Sequence, residues 1–292
     1  MAERKKILFV INPISGGKKK TAFNKQVLEV LDLQKFNPTF QQTTHANHAF
    51  ELAKKAVEEK YDAVVAVGGD GTINEIGSAL VNTGIPLGII PEGSGNGLAL
   101  YLGIPLNESA AIRRINRFDF MEVDSGKING RHFFNIAGLG FDASVSDRFA
   151  TETVRGPIGY LRAAINVLSK YKTKKYTLVV DQVKYDRDAF MISVANSPQY
   201  GNNAYIAPNA SVNDGLLDVC IVHKFPLYNL PMMIFHLFNK TADQSEYVEI
   251  IPGKEIIIER EGEGPIHVDG EPIVIAGTLS ININPKSLKI IC

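Results

Sequence analysis

The sequence predicts an α/β plus β fold, in which a doubly wound α/β domain is followed by an antiparallel β-sandwich domain. Three observations carry that expectation. The first third alternates short β-branched runs with helical apolar stripes, the pattern of a parallel sheet with crossover helices. Each of three N-terminal strand candidates runs straight into a glycine-rich loop. After about Phe120 the texture changes to short alternating segments separated by turn residues, as in a sandwich.

In chain order, Lys6–Ile11, Ala63–Val67 and Pro86–Ile90 read as buried strands. Between them, residues 48–59 place Ala49, Leu52, Ala53, Ala56 and Val57 on one helical stripe, and residues 72–80 do the same with Ile73, Ile76 and Leu80. Residues 175–181, 189–196, 217–222, 255–261 and 279–284 read as antiparallel strands, interrupted by helical patterns over 158–169 and 228–238. No Pro/Gly/Ser-rich linker marks a boundary, so the division rests on the change of texture near 120–128. It gives an α/β domain over 1–122, a β-sandwich domain over 123–280 and a closing segment over 281–292.

Composition narrows the function. The 292 residues are 45% hydrophobic and 21% charged, which is globular composition. Lys+Arg and Asp+Glu stand at 31 each, so no positive field holds a polyanion, and nucleic acid is not the expected partner. The two cysteines, Cys220 and Cys292, show no metal or redox spacing, which points to reduced thiols and a cytoplasmic setting. The N-terminal apolar run Ile7–Ile11 is too short for the core of a signal peptide. The longest apolar stretch, Phe225–Phe238, is broken by Pro226 and Pro231 and falls short of the ~18–20 residues of a spanning helix.

The chemistry lies in the loops Asn12-Pro13-Ile14-Ser15-Gly16-Gly17, Gly68-Gly69-Asp70-Gly71-Thr72-Ile73-Asn74 and Pro91-Glu92-Gly93-Ser94-Gly95-Asn96-Gly97. Loops at the carboxyl ends of parallel strands border the ligand crevice, and glycines there let backbone N–H groups approach an anion. One such loop is ordinary turn chemistry; three at one sheet edge point to a nucleotide. Neither G-x-x-x-x-G-K-[ST] nor a strand-adjacent G-x-G-x-x-G with a later acid is present, so the site is neither a P-loop nor a dinucleotide fingerprint.

Gly68-Gly69-Asp70-Gly71-Thr72-Ile73-Asn74-Glu75 together with Pro91–Asn96 resembles the catalytic domain of the diacylglycerol and sphingosine kinase family. Further blocks follow in the family's order: Gly138–Ala143, Ala207–Asp218 and His267-Val268-Asp269-Gly270-Glu271. The resemblance implies a Rossmann-like domain of the NAD kinase and diacylglycerol kinase type, with a last strand, 286–291, that can return to it from the sandwich. It places ATP among Asn12, Pro13, Ser15, Gly16, Gly17, Thr43, Gly68, Gly69, Asp70, Gly71, Thr72, Asn74, Glu75, Gly93, Ser94 and Asn96. Asp269 and Glu271 are implied as catalytic, with Asp269 the general base; the sphingosine branch favours Asp70 instead. A structural Mg²⁺ is implied at the Asp214 side chain and main-chain oxygens near Leu217 and Val219, with Asp124 linked to it.

The expected activity is therefore an ATP- and Mg²⁺-dependent lipid kinase that converts diacylglycerol to phosphatidic acid in phospholipid biosynthesis. A sphingoid base is the alternative acceptor, and a non-catalytic nucleotide- or lipid-binding protein is the alternative of another class. Expected partners are a membrane-derived lipid met through peripheral, reversible contact and, in one arrangement, a second copy of the chain.

Simpler readings stand beside these. Asp214-Gly215 and Asp269-Gly270 are turn signals on local grounds. Asp142 can cap the following helix, His45 and His48 read as an exposed helix start rather than a metal site, and Lys18–Lys20 as a solvated helix beginning. The apolar patterns over 154–168 and 225–238 can be core or lipid-facing. Arg155, Arg162, Lys170, Lys172, Lys174 and Lys175 can face anionic headgroups or water. Gly97 stands where bacterial diacylglycerol kinase relatives carry an acidic residue, a feature nearer the sphingosine version.

Overall fold

In the computed structural model, residues 3–17, 22–151, 166–168 and 171–292 are described. Contacts divide the chain into two units, one of residues up to Val123 together with Lys286–Cys292, the other Asp124–Pro285.

The first unit is built on four parallel strands, β1 (Lys5–Ile11), β2 (Phe36–Gln42), β3 (Ala63–Gly68) and β4 (Leu87–Pro91), in the order β4-β3-β1-β2. β3 and β4 are buried at every position, as strands covered on both faces must be, which is why they read as continuous apolar runs. The crossovers carry helices α1 (Phe23–Val30), α2 (His48–Glu58) and α3 (Asp70–Leu80); α4 (Gly97–Tyr101) and α5 (Glu108–Ile115) follow β4. The chain leaves β1 toward β2 and leaves β3 toward β4 on the opposite side, so the sheet's switch point lies between the carboxyl ends of β1 and β3.

Four elements here, β2, α1, α4 and α5, exceed the sequence expectation. β2 was hidden because Phe36-Asn37-Pro38-Thr39-Phe40-Gln41-Gln42 is polar and holds a proline, a combination an edge strand tolerates. α1 and α5 are short; α5 starts at a cap in which Asn107 accepts a hydrogen bond from the Ala110 N–H at 3.0 Å.

The second unit is antiparallel. Its strands are the later part of β5 (Phe120–Ile128), β6 (Arg131–Phe133), β7 (Ile136–Gly140), β8 (Lys174–Val180), β9 (Val183–Ala195), β10 (Leu217–His223), β11 (Val248–Gly253), β12 (Glu255–Arg260), β13 (Gly264–Val268), β14 (Glu271–Ile275) and the start of β15 (Thr278–Ile291). The 13-residue β9 organises them: its first half pairs with β8, and its second half pairs with both β7 and β10. Residues along that second half alternate between two cores. Ile192 and Val194 join one built from β7, β8, β10, β12 and β15, whereas Met191 and Ala195 join another with Cys220, Val222 and Met233. The two cores are the two faces of a sandwich sheet.

Helix α6 (Phe141–Thr151) follows β7, and α7 (Leu230–Phe238) follows β10 after a 3₁₀ turn over Leu227–Asn229. The helical pattern expected over 228–238 is thus present, and Met233 carries it into the second core. The pattern over 158–169, together with Lys18–Lys20, Arg155, Arg162 and Lys170, lies outside the described residues apart from the helical turn 166–168. The division expected at 280/281 falls inside a ladder, since Ile281 and Asn282 still pair with Ile256 and Glu255. The chain joins the first unit only from Lys286, where Ile290 pairs in parallel with Leu87 of β4. Among the described residues no helix is long and apolar enough to cross a membrane.

Candidate active site

The loop after β1 is fastened by Asn12. Its backbone N–H donates to the Val67 carbonyl at 2.9 Å, its side-chain oxygen accepts from the Ile14 N–H at 3.2 Å, and its amide donates to Thr72 Oγ1 at 3.1 Å. One residue therefore joins the loops after β1 and β3. Ser15 Oγ donates to the Asn12 carbonyl at 3.0 Å, and Ser15–Gly17 makes a single 3₁₀ turn; Pro13 is exposed. Gly16 has φ +68 and faces the Glu92 carbonyl so closely that a Cβ would come within 2.9 Å of it, which fixes glycine there. Thr43 follows β2, its N–H bonded to the Ile11 carbonyl at 2.9 Å.

The loops after β3 and β4 touch through glycine backbones. A Cβ on Gly69 would lie 3.0 Å from Gly93 Cα, and one on Gly68 would collide with Thr72 Oγ1 at 2.6 Å. Asn96, at φ +49, closes its own loop, accepting from the Gly93 N–H and donating to the Gly93 carbonyl, both at 2.8 Å. Asp70 then clamps that loop: its carboxylate accepts from the Asn96 N–H at 2.8 Å and the Gly97 N–H at 2.9 Å. With Asp70 bent to β4's loop, the open amides of α3's first turn, including those of Gly71 and Thr72, form the positive end of an 11-residue helix. Such amides beside permissive glycine backbone suit a phosphate chain.

Not every residue implied as nucleotide-binding has that geometry. Glu75 uses its carboxylate to cap α2, accepting from the Asn47 and Ala49 N–H groups at 2.9 and 3.0 Å. Asn74 accepts a long 3.4 Å bond from Ser78 Oγ, and Ser94 is exposed at the loop tip. His45 and His48 flank the start of α2 as expected, with rings stacked at 4.5 Å. Glu51 joins them to make a grouping whose ligand atoms lie within 4.8 Å of one another.

In the second unit, Asp124 is fully buried; its carboxylate accepts from the Gly215 N–H at 2.8 Å and its carbonyl from Asn196 Nδ2 at 3.0 Å. Asp214 is exposed in the turn that Gly215 makes at φ +75, and accepts from the Leu216 N–H at 3.0 Å. Leu217 and Val219 are buried ladder residues of β10. Burial, and behind it the negative charge of Asp214, pushes the neighbouring Asp218 carboxyl above its ordinary value.

Asp269 stands at φ +49 in the β13–β14 turn, half-buried, and its carboxylate receives the N–H groups of Phe134, Asn135 and Ile136 at 2.9, 2.8 and 3.1 Å. Glu271 opens β14 and is exposed. The turn reading of Asp269-Gly270 and the block reading therefore describe one object, a tight turn that aims a carboxylate into the start of β7.

A buried cluster that no spacing rule singled out lies alongside. Asp142 Oδ2 accepts from His267 Nε2 at 3.0 Å and from the hydroxyls of Ser193 and Tyr200 at 3.2 and 3.3 Å. His267 shares its block with Asp269, and Gly138 leaves the space that the pair occupies. The block glycines were the available signal.

These features have counterparts in known proteins. Residues 6–128 match the diacylglycerol kinase catalytic domain, and residues 135–292 match the YegS C-terminal NAD kinase beta sandwich-like domain. A diacylglycerol kinase of Bacillus subtilis is 30% identical over 226 residues, 75% of this chain and 74% of its own length. A diacylglycerol kinase of Mycobacterium tuberculosis is 31% identical over 236 residues, 77% of this chain and 75% of its own. A Chromohalobacter salexigens protein described as a probable YegS-like lipid kinase is 30% identical, covering 79% of this chain and 76% of its own. A solved Bacillus anthracis chain described as a candidate diacylglycerol kinase has the same fold, with TM-score 0.81 and 23% identity over 100% of this chain and 96% of that one. With matches across both units and relatives at this identity, the chain belongs to the family of diacylglycerol kinase-like lipid kinases.

Proposed function

We propose that this kinase transfers the γ-phosphoryl group of ATP to the hydroxyl of a membrane lipid, with Mg²⁺, and that diacylglycerol is its first acceptor. The observation that carries the reading is the Gly69–Gly93 contact with the Asp70 clamp behind it, which holds the glycine loops after β3 and β4 together at a helix N-terminus beside the sheet's switch point. Backbone amides there take the phosphate chain of ATP, and Asn12 and Thr72 hold the neighbouring loops in register.

In the transfer, the bond from the γ-phosphorus to the bridging oxygen of ADP breaks as one forms to the lipid oxygen, and the hydroxyl proton passes to a carboxylate. We assign that proton to Asp269, whose three backbone donors orient it, with Glu271 two residues on at the exposed start of β14. Asp70 is the alternative base. Mg²⁺, when bound, neutralises charge that builds on the phosphates. We assign the structural cation to the Asp214 side chain and main-chain oxygens near Leu217 and Val219, the hard oxygen donors such an ion takes. Asp124 would steady that turn through Gly215.

A sphingoid base is the second acceptor, favoured by Gly97 at the position where an acidic side chain would mark the diacylglycerol type. The test is transfer of labelled γ-phosphate from ATP with Mg²⁺ into mixed micelles of diacylglycerol, sphingosine, monoacylglycerol or undecaprenol, with NAD and lipid-free controls. Label in diacylglycerol that disappears in Asp269→Asn supports the full reading. Label in sphingosine transfers it to the second acceptor, loss in Asp70→Asn alone moves the base to Asp70, and ATP binding without any labelled lipid overturns the acceptor assignment.

A further inference from the structure

We propose that the segment Leu227–Phe238 is a bilayer-docking face, lying flat on an anionic lipid surface with its outer side chains among the acyl chains. The inference rests on reading the acceptor as a membrane lipid. Fourteen large hydrophobic residues are exposed among the described residues, and six of them lie in these twelve positions: Leu227, Tyr228, Met232, Ile234, Phe235 and Phe238, at 65, 81, 56, 44, 56 and 55% exposure. The other eight are scattered along the chain, as on any protein surface. A cluster of this size on one short element marks an interaction face.

The helix is anchored on its inner side. Met233 is buried in the second core and Leu237 packs against it, so the outer row is set by helical spacing. An α-helix that is apolar all round is found in a protein core or in lipid. No Asp, Glu, Lys or Arg occurs from Phe225 to Asn239, and exposed lysines, Lys224 and Lys240, close the segment at both ends. That arrangement complements an anionic bilayer: an uncharged apolar centre inserts while flanking ammonium groups stay at the headgroups. Lys240 Nζ lies 4.6 Å from the ring centroid of Tyr205, which holds it at the edge of the face. A second copy of the chain would bring the same lysines against each other around a two-fold axis, which disfavours self-association.

The sequence contains no tryptophan, so Phe235→Trp supplies a single reporter. Mixed with phosphatidylglycerol/phosphatidylcholine vesicles, its emission should shift to the blue. In co-sedimentation, Met232→Glu/Phe235→Glu should lower vesicle partition about 100-fold, with an unchanged far-UV spectrum and melting temperature. Phosphorylation of a short-chain diacylglycerol dissolved as monomers should be unchanged in that variant, while phosphorylation of vesicle-embedded acceptor falls. Loss of partition without any phosphorylated acceptor would uphold the docking face and remove only the acceptor reading. Wild-type protein that ignores vesicles, a double variant that binds them equally well, or a wild-type dimer in sedimentation that the variant dissociates would overturn the proposal.

Discussion

Gly69 and Gly93 meet backbone to backbone, so that a Cβ on Gly93 would stand 2.7 Å from Gly69 Cα and 2.8 Å from Asn96 Oδ1. Neither neighbour can yield: one is main chain and the other closes the loop through two 2.8 Å bonds. Gly93→Ala should therefore part the two loops, costing about 1–3 kcal/mol in overpacking. Nucleotide affinity should fall about tenfold or more as the amides lose register. Urea unfolding and titration of a fluorescent ATP analogue measure the two effects, and an unaltered affinity would detach the contact from nucleotide binding.

Asp269 has a structural duty that separates from its chemical one. Asp269→Ala strands the N–H groups of Phe134, Asn135 and Ile136 and should cost roughly 2–4 kcal/mol. Asp269→Asn keeps an oxygen for Asn135 and Ile136, loses the bond to Phe134, and tolerates the positive φ, so about 1 kcal/mol is expected. If Asp269 is the base, both variants lose turnover although only one loses much stability. An active Asp269→Asn would leave the residue a purely structural role.

The contrast between Asp70 and Glu75 shows how far the sequence could be read. The glycine loops, the buried strands and the two-domain texture were legible because burial on both faces, strand alternation and positive-φ turns each constrain residue type locally. What the two carboxylates do was not: Asp70 reaches 26 residues forward to Asn96, and Glu75 reaches 28 back to Asn47, to cap a helix far from it in the chain. β2 was masked by Pro38 on an edge strand, and the Asp142–His267 contact joins residues 125 positions apart. Such pairings are decided by topology, and local pattern carries them only as unexplained glycines.

The Arg187–Glu249 pair gives a pH signature. Arg187 binds the carboxylate with two bonds, Nε to Oε2 at 2.8 Å and a second guanidinium nitrogen to Oε1 at 2.9 Å, and His223 adds a third contact at 3.1 Å. Arg187 is the main reason the Glu249 carboxyl is held below its ordinary value. A carboxyl lowered by folding stabilises above its unfolded value near 4.3, and that contribution is lost as pH falls through the folded value. Arg187→Ala should lower stability by about 1 kcal/mol at pH 7, since both side chains are about 30% exposed and partly screened. The gap from wild type should close below about pH 4; urea midpoints measured from pH 7 to pH 3 test the sign, and a gap that persists in acid would assign the effect to lost packing.

Gly138 faces Asp142 and His267 so closely that any side chain there must displace the buried pair. Asp142 and His267 are 5% and 3% exposed, so neither can swing into water without leaving the core. Gly138→Ala should cost about 3 kcal/mol, the sum of overpacking and a broken buried bond. The cause is separable by a double-mutant cycle. His267→Ala removes one of the two groups that the new methyl strikes and leaves the Asp142 carboxylate room to shift, so adding Gly138→Ala to that background should cost about 1–2 kcal/mol less than in wild type. Strict additivity in urea unfolding would instead place the penalty on the Asp142 carboxylate, which the new methyl also meets, and not on the His267 ring.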